Sequence, residues 1–130
     1  MAQKYTQEQV QEILAKVEKT MGHVPLVNQV LSESPDMFFP VFQVGNTLLK
    51  PKADLELEPK TRYLIALASA AAMGGEHCVR LQMNNALRAG ASREEILETI
   101  TIASYMCMTK SQSYSYRIFQ DIMGENKEEE

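Results

Sequence analysis

Residues 60–102 read KTRYLIALASAAAMGGEHCVRLQMNNALRAGASREEILETITI. This stretch reads as helix, turn, helix, turn, helix within 43 residues. A small-residue helical pattern runs to Met73, with Tyr63, Leu64, Leu67, Ala68, Ala71 and Ala72 on its apolar side. Alanines at this density let a second helix approach closely, because interaxial distance depends on side-chain size. Gly74-Gly75 ends the pattern, and a second helix over 76–89 opens with Glu76, His77 and Cys78 and stops at Gly90. Ser92-Arg93-Glu94-Glu95 then marks a third start, in which the Ser92 hydroxyl and the Glu95 carboxylate satisfy each other's backbone amides.

On either side of this segment the chain still reads as helical. Thr6 and Gln9 form a second capping box, and Val10, Ile13, Leu14, Val17 and Met21 recur at helical spacing up to a stop at Gly22. Pro25 fits the first turn of a short helix carrying Leu26, Val27, Val30 and Leu31. Ser34-Pro35-Asp36 is a further start, with Ser34 as capping hydroxyl. Pro40 predicts a kink there or a helix that begins only after it. Phe38, Phe39 and Phe42 cluster in this segment and suit a core or a subunit interface. Residues 51–58 are charged and aperiodic and read as a loop, and Pro59 opens the next helix. After Ser92 the pattern runs to Lys110 or pauses near residues 109–111, and a last segment with Tyr114, Ile118, Phe119 and Ile122 ends at Gly124. The expectation is an all-α chain of about six helices.

Length and composition bound the rest. A chain of 130 residues predicts a single domain over 1–130. The 49 residues before the loop are few for a separate core. A net charge of −4 gives no steering toward nucleic acid. Glu125, Glu128, Glu129 and Glu130 read as a solvated acidic tail. The uncharged run 64–75 is too short to span a bilayer, and the N-terminus lacks a signal-peptide pattern. Two cysteines, Cys78 and Cys107, and two histidines make neither a disulfide framework nor a zinc pattern. A cytoplasmic protein without metal or cofactor is expected.

Chemistry, if the chain performs any, belongs at the 74–78 junction. A thiol in the first turn of a helix feels unpaired backbone N–H groups, which favour the thiolate. Gln82 and Asn85 follow Cys78 at i+4 and i+7. Cys78 is therefore either a reactive or ligand-contacting thiol beside two amides, or a buried small hydrophobe. His77 is a candidate general base or a capping residue. Glu76 is a candidate proton acceptor or the i,i+4 partner of Arg80. Cys107, between Met106 and Met108, can meet Cys78 across two helices or simply pack.

The segment LEPKTRYLIALASAAAMGGEHCVRLQMNNALRAGASREEILETI resembles the carboxymuconolactone decarboxylase and alkyl hydroperoxidase D superfamily, and GHVPLVNQVLSESPDMF resembles its lead-in, so the likeness runs from Gly22 to Tyr116. The resemblance implies an all-helical fold and a homo-oligomer, a trimer or hexamer. In the peroxidase branch a glutamate, a CxxC pair and a histidine act together, with the second cysteine attacking the peroxide. Placed on this chain the attacking cysteine is Cys78, while the resolving cysteine falls on Gly75, the histidine on Gln82 and the glutamate on Tyr63. The decarboxylase branch carries a histidine where this chain has Gln82 and Asn85, and needs a site for a dicarboxylate; Arg80, Arg88 and His77 are the nearby cations.

Three functions follow as expectations. One is a protein that binds a small organic molecule near Cys78, with Tyr63, Gln82, Asn85 and Arg80 as contacts. Another is a one-cysteine peroxidase or thiol oxidoreductase using Cys78, resolved by Cys107 or an external thiol reductant. The last is a non-catalytic homo-oligomeric scaffold.

Overall fold

A computed structural model describes residues 4–52 and 54–125, with the Glu125 side chain excluded. The acidic tail read from Glu125, Glu128, Glu129 and Glu130 thus lies outside the described side chains. The described residues form six helices and no strand: α1 Gln7–Met21, α2 Leu26–Leu31, α3 Pro35–Leu49, α4 Pro59–Met73, α5 Glu76–Arg88 and α6 Arg93–Glu125. They divide into two compact units at Ala53–Asp54, the first carrying α1–α3 and the second α4–α6.

Local chemistry explains the helix starts of the first unit. Thr6 Oγ1 accepts from the Gln9 amide (3.2 Å) and Gln9 Oε1 accepts from the Thr6 amide (2.9 Å), which completes the expected capping box. Gly22 ends α1 at φ 80°, a left-handed conformation that suits glycine. Pro25 stands one position outside α2, as its N-cap. Ser34 is the N-cap of α3 but makes no side-chain cap hydrogen bond, contrary to the capping role expected of it. Helix α3 starts at Pro35 and continues through Pro40, so it does not wait for that proline. The lost Pro40 N–H is one bond, and the packing of Phe38 and Phe42 on either side outweighs it.

Val10, Leu14 and Phe38 form the core of this unit, with Ile13, Val24, Leu31, Phe39 and Phe42 packed around them. The Phe38 and Phe42 rings stack at 5.3 Å, and Tyr5 stacks on Phe39 at 4.2 Å. The phenylalanine cluster is therefore core. On α2, Leu31 packs against this core while Leu26, Val27 and Val30 are exposed.

In the second unit α4 packs against both α5 and α6. Tyr63, Leu67, Ala70, Ala86, Ala91, Ile96 and Ala103 are buried. Four of these seven are alanines, and their small side chains permit the close helix packing. The contact face is rotated from the one expected on α4: Ala70 and Arg62 are buried while Ala72 is exposed. Gly74 takes φ 82° to end α4. At the start of α6, Ser92 Oγ accepts from the Glu95 amide (3.0 Å) and Glu95 accepts from the Ser92 amide (2.8 Å). Glu95 also pairs with Lys60 at 3.0 Å, tying the start of α6 to the start of α4. Helix α6 runs without a pause through residues 109–111 and past Gly124, 33 residues in all.

Candidate active-site junction

Ala70 holds the turn between α4 and α5. Its carbonyl accepts from the amides of both Gly74 (2.9 Å) and Gly75 (3.2 Å), and Gly75 then becomes the N-cap of α5 with φ −87° and ψ 93°. Glycine offers no side chain to cap the first turn. Cys78 is the third residue of that turn, and its thiol is exposed and free. The reading of Cys78 as a buried hydrophobe is thus not met. A Cβ added at Gly75 would lie 3.5 Å from Cys78 Cβ and 3.8 Å from its Sγ.

One turn on, Gln82 is buried. Its Oε1 accepts from Asn85 Nδ2 at 3.3 Å, and Asn85 Oδ1 accepts from Arg88 at 3.5 Å. Cys78, Gln82 and Asn85 therefore share one side of α5, a free thiol followed by an amide pair. Burial fades along this side, from Ala86 at 0% exposure through Gln82 at 9% to an open Cys78. The expected pairing of Glu76 with Arg80 is present at 3.3 Å, and both side chains are well exposed. His77 follows Glu76 in the first turn and is exposed as well.

Tyr63 is buried on α4, and that burial pushes its hydroxyl pKa above the ordinary tyrosine value, against a smaller opposing effect of the Arg62 charge. Arg62 is not marked out by sequence spacing. It is 7% exposed and its Nε donates to the Leu57 carbonyl at 2.9 Å. The available signal is a second cation, after Lys60, directly before the apolar run that opens at Tyr63. The sequence marks Glu95 only as a cap, and in the structure the Ser92 amide first, and then the Lys60 ammonium, hold its carboxyl below the usual carboxylate value.

Cys107, on α6, is a second exposed free thiol, with Sγ 3.8 Å from the Ala72 carbonyl. Among the described residues no group of three or more His, Cys, Asp or Glu side chains is arranged to hold a metal ion. Nor is any helix among them long and apolar enough to cross a membrane.

The comparisons agree with this architecture. A profile of the carboxymuconolactone decarboxylase family matches residues 35–121. The crystal structure of a candidate carboxymuconolactone decarboxylase from Burkholderia xenovorans LB400 superposes with a TM-score of 0.65 over 92% of this chain and 98% of that one, at 21% sequence identity. At that identity the likeness speaks for the fold alone. No curated protein shows significant similarity. With its all-helical architecture, and with more than half of its length matched by the profile, the chain belongs to the carboxymuconolactone decarboxylase family.

Proposed function

We propose that this family member binds a small organic molecule against the Cys78–Gln82 side of α5 and does not run the two-cysteine peroxide reaction. One observation carries the reading: Gly75, not a second thiol, stands beside an exposed Cys78, with the Gln82 amide one turn on. A disulfide-forming cycle needs a second thiol at contact distance, and an amide is no general base. The same surface has what ligand recognition uses, a soft thiol and an amide pair that both donates and accepts. We further propose a reducing, cytoplasmic setting, in keeping with two free cysteines. Self-association is also proposed, because Tyr105, Met106, Tyr116 and Phe119 of α6 are all more than half exposed.

The exposure of Cys78 favours one second reading, a one-cysteine thiol peroxidase. Its thiolate would attack the peroxide O–O bond, giving a sulfenic acid and releasing water or an alcohol. An external thiol would then reduce the sulfenic acid, giving a disulfide and water. A peroxide-reductase assay with a dithiol reductant, run on wild type, Cys78→Ala and Cys107→Ala, separates the two readings. Binding without the reaction predicts peroxide consumption no faster than the reductant alone in all three proteins. Turnover lost only in Cys78→Ala would replace the first reading with the second.

A further inference from the structure

The first unit holds a cavity that the chemistry above does not use. It lies between α2 and α3, has a volume of about 260 Å³, and is lined by Asn28, Leu31, Phe38, Phe42, Gly45 and Asn46, with Val41 at its edge. Its base is aromatic, since Phe38 is buried and stacks on Phe42 with the rings 12° from parallel. No charged side chain lines it. Asn28 and Asn46 are half-buried, and among the described residues their side-chain amides make no hydrogen bond.

Gly45 adds an independent observation. It lies inside α3, where glycine is among the least favourable residues. It is not among the glycines with positive φ, so the backbone does not require it. A Cβ at this position would meet nothing within 4 Å, so packing within the chain does not require it either. What glycine does here is leave the cavity wall open.

We propose that this cavity is a binding site for a small uncharged aromatic molecule bearing hydroxyl or amide groups. The ring packs on Phe42, where offset stacking is favourable, and the polar substituents meet Asn28 and Asn46. An engineered apolar cavity of about 150 Å³ already accepts benzene, so a singly substituted ring fits the larger space. No counter-charge lines the site, so a carboxylate or ammonium would gain nothing there to offset even partial desolvation, which favours neutral ligands. The site is independent of the Cys78 reading, since all its residues belong to α2 and α3.

The test is an NMR titration of the full chain with phenol, with benzoate as the charged comparison. The expected result is saturable shifts at the Asn28 and Asn46 side-chain amides and the Phe42 ring, with weaker binding of benzoate. Gly45→Leu, which fills the cavity, weakens phenol binding by about tenfold or more, a loss well outside titration error. Gly45→Ala, with only a methyl in open space, has a smaller effect. Far-UV circular dichroism confirms that the variants are folded, and Asn46→Leu serves the same purpose should Gly45→Leu fail to fold. Shifts that do not saturate or that fall outside α2 and α3 would overturn the proposal, as would unchanged affinity in the folded cavity-filling variant.

Discussion

Replacing Gly75 by cysteine should close a disulfide onto Cys78. The Cβ position at residue 75 lies 3.5 Å from Cys78 Cβ, at the short end of the roughly 3.5–4.5 Å found across disulfides. The backbone at φ −87° and ψ 93° is open to any L-residue, so the substitution needs no change of conformation. Cross-linking a loop of about four residues removes unfolded-chain entropy worth about 2 kcal/mol. For a chain of this size that raises Tm by about 5–10 °C. The assay is quantitative alkylation followed by mass mapping, alongside calorimetry under oxidising and reducing conditions. Oxidised Gly75→Cys should leave a single alkylatable thiol, at Cys107, and its higher Tm should disappear on reduction. Three alkylatable thiols after oxidation, or a bridge mapped to Cys107, would refute the claim that the α4–α5 turn keeps disulfide geometry. Peroxide should also drive the bridge in this variant, because a sulfenic acid at Cys78 would have a thiol within reach and would condense with it to release water.

Other perturbations read out the second unit. Leu67 is fully buried, and Leu67→Ala should cost about 2–5 kcal/mol in chemical denaturation. Glu95→Gln should lower stability at neutral pH. The folded carboxyl titrates below its ordinary value of 4.5, so the wild-type advantage is full above that value and fades as the pH falls through the lowered one; denaturation midpoints at several pH values would show the two proteins converging in acid. Tyr63 has the opposite sign. Its folded hydroxyl titrates above 10.0, so wild-type stability should fall as the pH rises past 10.0 while the unfolded chain ionises first, and Tyr63→Phe should flatten that slope.

The helix ends were legible wherever a short-range signal set them. Both capping boxes depend on side chains three residues apart, and the Gly22 and Gly74 stops on one residue's freedom to take positive φ, so the local sequence is enough. Pro40 left a kink or a later start open, and the helix begins before it at Pro35, because the cost of one missing hydrogen bond is local while the gain from packing Phe38 and Phe42 is tertiary. The length of α6 was obscured in the same way, since Thr109, Lys110 and Ser111 weaken a helical pattern without ending it. At the junction, spacing placed Cys78, Gln82 and Asn85 on one side of α5. It said nothing of how far along that side α4 reaches. Ala86 is fully buried and Cys78 is exposed, a difference set by where two helices meet. Arg62 was hidden by its charge, because buried arginines are rare unless a backbone or acidic partner waits for them, and here the Leu57 carbonyl does.

At 1.5 Å per residue, α6 is about 50 Å long. From residue 104 to residue 124 its side chains are exposed or half-buried, apolar ones included. Helices in proteins draw most of their stability from a packed face, and little of this half is packed within the chain. Under the self-association proposed above, helix content there is subject to mass action: a second copy covering Tyr116 and Phe119 would be linked to the order of the segment beneath it, and dilution and melting would become two routes to the same change.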